Sequence, residues 1–459
     1  MLLNLFRKKR PFNELQVDDA NALDRCLTAL DLCLLGIGVI IGAGVFVLTG
    51  IVAATKAGPA ISLSYVIAGI ASILAALAYA ELATSIGGCG SAYNYVYTGF
   101  GELFAWIIGW DLLFEYALSI SSVAIGWSGY VNDALLALNF HLPQALIKNP
   151  TEGGIVNLPA ILIIITLAFL LCAGIRHSTR VNSIIVIVKL ITIGIFIAIA
   201  SQHVNPSNWH PYFPFGWSGV MQGAALVFFA YIGFDSLSTA AEETMNPQRN
   251  LPIGIITSVV VCGSIYVLVA VLLTGIVPYT ALNVKSPVAE ALLILGYKFG
   301  AGIISIGAIA GLTTVMLVMF YGLSRICLAI ARDGLLPSIF AKIHPKRKTP
   351  STIILLCTLV IAPIAGFMPL SEAVSLVNIG TLLAFTLVCM GVIWLRKTNP
   401  NMARPFKLPL NPLFPLLGIF FCVYLMLNLS FVTWIRFFAW LVIGLVIYFC
   451  YSYKHSKLV

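Results

Sequence analysis

Charge is what this chain has least of: Asp, Glu, Lys and Arg together make up 9% of its 459 residues, against 60% that are hydrophobic. So small a polar supply cannot cover a water-soluble surface of this size, which excludes an ordinary soluble globular protein. Histidine is scarce too. All six (His141, His177, His203, His210, His344 and His455) fall in loops or tails without metal-ligand spacing, so no metal site is expected. A phosphate-cradling P-loop is missing, which leaves direct ATP drive unsupported. No catalytic dyad or cofactor motif is visible, so an enzyme is not expected. The ten cysteines, among them Cys33, Cys172, Cys262 and Cys422, lie in apolar runs or basic segments and read as small buried hydrophobes, not a disulfide framework. The first dozen residues lack an apolar h-region and no cleavage site follows, so no removable signal peptide is expected.

What is abundant is apolar sequence in runs long enough to cross a bilayer, which need about 20 residues each. About twelve can be counted, near 30–52, 60–83, 103–131, 155–174, 181–201, 217–242, 253–276, 303–331, 352–368, 372–395, 411–430 and 433–453. The expected fold class is therefore an all-α polytopic membrane protein. Residues 1–25 form a polar, basic leader, 26–453 a single transmembrane transporter domain, and 454–459 a tail. No hydrophilic stretch is long enough for a separate soluble domain.

The net charge of +9 is compatible with a nucleic-acid or a membrane partner, and its distribution decides for the membrane. With the N-terminus inside, the segments on that side hold 20 of the 26 Lys and Arg, including Arg7–Arg10, Arg176, Arg249, Arg332, Arg396 and Lys454. The opposite side holds Lys56, Lys148, Lys285, Lys298 and Arg436. That bias follows the positive-inside rule and predicts both termini in the cytoplasm of a cell with an inner (plasma) membrane. Lys189 belongs to neither side.

Two of the runs break. Gly36-Ile-Gly38-Val-Ile-Ile-Gly42-Ala-Gly44-Val-Phe46 interrupts the first, and Phe228-Phe-Ala-Tyr-Ile-Gly233-Phe-Asp235-Ser-Leu-Ser238 interrupts the sixth. Broken helices in corresponding positions of two halves are the best sequence pointer to a transporter's substrate site, because unwound backbone at membrane depth must line a cavity or be buried in protein. Spans 1–5 (about 30–201) and 6–10 (about 217–395) superpose as two five-helix units. An odd number of spans forces the second unit to enter from the opposite side, which is an inverted repeat. Spans 11 and 12 (about 411–453) are extra.

The chemistry expected at the breaks is that of an α-amino acid. Amides freed at the start of the half-helix after Gly42 favour a carboxylate. Gly42, Ala43 and Gly44 let backbone approach a ligand closely. Carbonyls near Ile40, Phe229 and Ile232, in stretches that Ile41 and Ala230 complete, can accept from an ammonium. The competing reading is close helix packing, since Gly38 and Gly42 have Gly-x-x-x-Gly spacing. Phe228, Phe229, Tyr231 and Phe234 either close over a ligand or pack, and Met316 and Met319 either line a side-chain pocket or belong to the core.

Glu115, Lys189 and Asp235 fall well inside spans 3, 5 and 6, where each charge costs roughly 2.5–3.5 kcal/mol on insertion scales. At about 1.5 Å per residue they share one layer in the inner half of the bilayer. The expectation is a buried, protonation-sensitive Lys189–Glu115 pair with Asp235 close by; the alternative is a static ion pair, with Asp235 only capping the half-helix that begins Ser236-Leu-Ser238. Asp111, four residues before Glu115, is expected near the cytoplasmic funnel. Glu81 and Glu102, at span ends, are expected to be solvated.

Tyr79-Ala-Glu-Leu-Ala-Thr-Ser-Ile-Gly-Gly-Cys-Gly-Ser-Ala-Tyr-Asn-Tyr95, Glu242-Glu-Thr-Met-Asn-Pro-Gln-Arg-Asn-Leu-Pro-Ile-Gly254, Arg332-Asp-Gly-Leu-Leu-Pro337, Thr349-Pro350 and Arg404-Pro-Phe-Lys407 occupy the connections. With the Ile-Gly-Ala-Gly-Val-Phe run, these motifs resemble the amino acid–polyamine–organocation superfamily, most of all the bacterial branch of its cationic amino acid transporter family, from about residue 22 to 453. The resemblance implies a LeuT-like 5+5 inverted repeat and alternating access around spans 1 and 6. It implies recognition of the amino acid backbone by Ile40, Ala43, Gly44, Phe229 and Ile232, with Met319 facing the substrate side chain. Lys189 stands where sodium-dependent relatives hold an ion, which implies proton coupling or ion-independent exchange; Glu115 and Asp235 match acidic positions of the same branch. Two positions depart from the family pattern: Ala43 replaces a frequent Thr, and Gly87 a usual proline. The reading is a proton-coupled permease for L-amino acids, neutral or broad in range. Its partners are the substrate, the proton, the lipid bilayer and an accessory small membrane subunit, with no nucleic acid and no cofactor. The alternatives are cationic amino acid uptake, ion-independent exchange, or a membrane amino acid sensor.

Overall fold

In the computed structural model, residues 27–86, 91–173, 179–342, 344 and 349–457 are described. The basic leader 1–25, the Gly87 turn, Arg176 and the basic run 346–348 lie outside them. Among the described residues the chain is all-helical, with one isolated bridge between Leu27 and Thr244 and no strand.

The first span opens as α1, Ala29–Ile40. Thr28 accepts from the Asp31 amide while the Asp31 carboxylate accepts from the Thr28 amide, a capping box that starts the helix where the apolar run begins. After a break, wider turns at Gly44–Leu48 and Ala53–Ala57 flank the short α2, Thr49–Val52. Gly58, at a φ of 62° that only glycine adopts freely, turns the chain into α3, Ile61–Ile86. A short helix α4, Ser91–Phe100, precedes α5, Glu102–Ala137. Then follow α6, Leu158–Ala173, and α7, Thr179–Ala200.

The second half repeats the order. Helix α8, Gly216–Val227, tightens into a 3₁₀ turn at Phe228–Tyr231, breaks, and resumes as the 3₁₀ segment Phe234–Glu243. Next come α9, Pro247–Ile276; the loop helix α10, Pro287–Ile294; α11, Lys298–Arg332; α12, Ser351–Phe367; and α13, Leu370–Thr398. Helices α14, Leu413–Leu427, and α15, Phe431–Ile447, close the bundle.

Among the described residues, eight stretches are long and apolar enough to cross a membrane, and the 58-residue Ala29–Ile86 contains both α1 and α3. Shorter apolar helices, α6, α12 and α14, accompany them. The protein is an integral, polytopic membrane protein. Its densest packing pairs α5 with α11, α3 with α9 and α1 with α9, and α6 also packs against α12. Aliphatic and aromatic side chains on the outer faces, such as Phe169, Leu359, Phe431 and Val442, are exposed as lipid-facing residues should be.

The short loop helices α4 and α10 went unseen in the hydropathy pattern. Helix α10 folds over the second half of the first span, where any side chain at Gly50 would overlap Pro287. Its leading residues are latched to the scaffold: Lys285 pairs with Glu152 at 2.7 Å, and the Ser286 hydroxyl donates to Asp133.

Candidate functional site

Both sequence-predicted breaks are present, and they meet. Helix α1 ends at Ile40, where Ile41 takes an extended conformation (ψ 100°), and helical winding resumes at Gly44. In the sixth span Ile232 is extended (ψ 141°) and Gly233 adopts φ 120°, a region closed to side chains other than hydrogen. At Gly44 an added Cβ would overlap Cα and Cβ of Ala230, so the two breaks touch backbone to backbone. Gly42 has ordinary room: its nearest neighbour would be Val315 at 3.6 Å.

Breaking a helix orphans carbonyls, and here side chains from surrounding helices satisfy them. The Tyr266 hydroxyl of α9 lies 2.7 Å from the Ile40 carbonyl and 2.9 Å from that of Ala230, spanning both breaks. Past the break, the Gly44 carbonyl, which already accepts from the Thr49 amide, gains a second bond from the Tyr65 hydroxyl of α3 at 3.0 Å, and Tyr130 of α5 donates to the Phe46 carbonyl at 2.7 Å. From α7, Lys189 Nζ donates to the carbonyls of Gly38 at 2.7 Å and Ile41 at 3.1 Å. Tyr231 in turn donates to the Tyr65 carbonyl at 2.8 Å. The outcome is a ring of donors around two kinks, closed to solvent: Ile40, Ile41, Ala43, Phe229, Ala230 and Ile232 are all buried.

The start of the first broken span and the end of the sixth are also joined. The Leu27 amide donates to the Glu243 carbonyl at 3.0 Å, and the Met245 amide to that of Leu27 at 2.9 Å. Two discontinuous helices that meet at their breaks are the arrangement from which transporter folds typically build a substrate site.

A family model described as amino acid permease matches residues 27–448. The chain belongs to this family. The branched-chain amino acid permease BcaP of Bacillus subtilis is 49% identical, covering 99% of both chains. The methylthioribose transporter of the same organism is 47% identical over an equal share. A vacuolar cationic amino acid transporter 4 of Arabidopsis thaliana is 38% identical over 84% of this chain and 65% of its own length. Members of this family are transporters, not enzymes.

In this permease the expected Lys189–Glu115 pair does not form. The Lys189 ammonium is committed to α1, whereas Glu115 lies beside Thr381 of α13 and leaves Oε2 without a partner. Rise per residue predicts depth along a helix but not position around the bundle: α5 packs on α11 and α13, whereas α7 packs on α11 and α1. Glu115 instead shares its electrostatic surroundings with Asp111 and Asp235. Asp235 lies in the first turn of the 3₁₀ segment and accepts from the backbone amides of Gly233, Asp235 and Ser236 and from the Tyr116 hydroxyl. Asp111 is fully buried against α13, with both oxygens unpartnered.

Glu81 and Glu102 are likewise not solvated; they are 1% and 0% exposed. Glu81 accepts from Arg396 at 2.8 and 2.5 Å and from the Leu408 amide at 2.7 Å, with Arg404 at 3.7 Å. Glu102 accepts from Tyr97, Tyr448 and Ser456. Both lie at helix ends that later segments, near Leu408 and Ser456, fold back to cover.

Of the four candidate aromatics, three belong to packing. Phe228 meets Phe385 edge-on and Phe234 meets it tilted, while Tyr231 packs edge-on against Tyr65 and Tyr266. Phe229 has no ring partner among the described residues and retains 6% exposure, while Met319 retains 7% and Met316 none. Sequence reasoning missed Tyr65, Tyr130 and Tyr266. Their signal was available: a tyrosine deep in an apolar span must find a hydrogen-bond partner, and broken helices supply one.

Proposed function

We propose that the chain is a secondary active permease that carries L-amino acids, neutral or broad in range, across the plasma membrane by alternating access, coupled to protons. The observation that carries this reading is the contact between the two breaks at Gly44 and Ala230, closed by Tyr266. A site assembled from the backbone of two interrupted helices offers amides and carbonyls in opposite directions, which suits the carboxylate and ammonium of an amino acid. Ile40, Ile41, Gly42, Ala43, Gly44, Phe229, Ala230 and Ile232 would contact the substrate backbone, and Met319 its side chain. The relatives named for branched-chain and cationic amino acids support the substrate class.

The packing of α5 on α11, α3 on α9 and α6 on α12 pairs helices five apart in span order, which supports a twelve-span, LeuT-like inverted repeat. The charge bias supports cytoplasmic termini. For coupling, Lys189 bridges Gly38 and Ile41 as a fixed cation would, while Glu115 and Asp235 form a separate acidic layer beside the inner half of the sixth span. Protonation of that layer and release of α1 by Lys189 are then the two events to be linked.

The deciding experiment is uptake into proteoliposomes of a labelled amino acid pool and, separately, of methylthioribose. Vesicles would carry an inward proton gradient, an inward sodium gradient, or preloaded amino acid alone. Amino acid accumulation with protons only is the expected result. Uptake confined to preloaded vesicles would make the chain an exchanger, and uptake of methylthioribose alone would overturn the substrate class.

A further inference from the structure

Helix α13 reaches the second broken span with a single amide side chain. Asn378 is fully buried, and its Nδ2 donates to the carbonyls of Ala225 at 2.7 Å and Leu226 at 3.0 Å. Both carbonyls belong to the last turn of α8, just before it tightens into Phe228–Tyr231. Tightening moves the backbone donors one residue closer and strands carbonyls of the preceding turn. A side chain from another helix therefore marks where the α-helical winding stops.

The two hydrogens of the amide are both used, whereas its Oδ1 is shut away from solvent with no partner. A buried acceptor left empty is a cost that a leucine of similar size would not incur. The same strip of α13 meets the acidic layer: Thr381 lies beside Glu115, and an added Cβ at Gly380 would come within 2.5 Å of Asp111 Oδ1. One short stretch of helix thus touches the break and the acids together.

We propose that Asn378 is a positioning residue for transport: it sets the end of α8, and so the placement of Phe229 and Ile232, and its free Oδ1 receives a backbone N–H of the unwound segment when the site reorganises. This rests on the reading of the breaks as the substrate site. Asn378 itself touches no ligand; it acts through the segment it holds.

Three variants and a control test this. Asn378→Asp keeps the shape but sets an acceptor against two carbonyls, Asn378→Leu removes both functions, and Asn378→Gln restores an amide with longer reach. Thr386→Val, on the same helix, deletes a buried hydroxyl that bonds back to the Leu382 carbonyl. Amide hydrogen exchange across residues 226–233 is expected to quicken about tenfold in the Asp and Leu variants, the equivalent of one lost hydrogen bond, and not in the control. In leucine counterflow the same two variants should raise KM about tenfold with Vmax held within about threefold, Gln recovering part of the loss.

Unchanged protection of residues 226–233 in both variants, or an equal change in Thr386→Val, would overturn the proposal. So would a fall in Vmax and thermal stability with KM unmoved, the pattern of a merely structural residue. Should the unaltered protein carry no amino acid, the transport reading fails, while the exchange measurement still decides what Asn378 does to the break.

Discussion

The ammonium of Lys189 stands 2.7 Å from the carbonyl oxygen of Gly38, tying the middle of α7 to the last turn of α1 before its break. A flexible cation here does what a bound metal ion would do in the same place: it neutralises backbone oxygens that a broken helix leaves over. Each such bond, being charge-assisted, contributes about 1.5–3 kcal/mol.

Lys189→Met should therefore loosen α1 without emptying the core. Accumulation of amino acid down a proton gradient is expected to fall to background, while counterflow in preloaded vesicles stays measurable. Gradient-driven accumulation at the unaltered level would remove Lys189 from the coupling machinery.

Tyr266→Phe deletes the one hydroxyl that spans Ile40 and Ala230. The expected loss is about 1 kcal/mol of thermal stability and about tenfold in transport rate. Tyr212→Phe, which removes a bond to Ser62 at the periphery, should leave the rate unchanged. Equal effects of the two changes would show that the bridging position has no special weight.

The glycines should divide. Gly44→Ala drives a methyl group into Ala230 and is expected to abolish uptake, since neither backbone can retreat without parting the breaks. Gly42→Ala meets only Val315 at ordinary contact distance, so the protein should fold and any loss should fall on KM. Retained uptake in Gly44→Ala would mean that the two breaks need not touch.

Glu81→Gln leaves Arg396 and Arg404 without their buried counter-charge. Breaking such a network costs about 3 kcal/mol, visible as a lowered melting temperature in detergent. The part-exposed Glu152–Lys285 pair provides the contrast, because Glu152→Gln should cost no more than about 1 kcal/mol. Similar shifts for the two would remove the special status of the buried network.

The sequence made the helical architecture and both breaks readable because hydropathy and glycine placement report directly on bilayer crossing and on backbone that cannot stay wound. Gly233 is the clearest case, with a φ that its neighbours could not share. Contacts around the bundle were not readable in the same way. Lys189 and Glu115 share a depth yet face different helices, a distinction set by tertiary packing alone. Glu81 and Glu102 looked like ordinary span-end acids because the segments that bury them, near Leu408 and Ser456, come more than 300 residues later in the chain.

The donors around the kinks bear on how the carrier returns. Backbone oxygens left bare in a nonpolar interior would make the unloaded protein depend on a passenger to satisfy them before it could change sides. With Tyr65, Tyr130, Tyr266 and Lys189 donating to them, the protein supplies partners for these oxygens from its own helices. A carrier whose kinks are met by its own side chains is expected to return unladen, seen as uptake into vesicles that hold no amino acid inside.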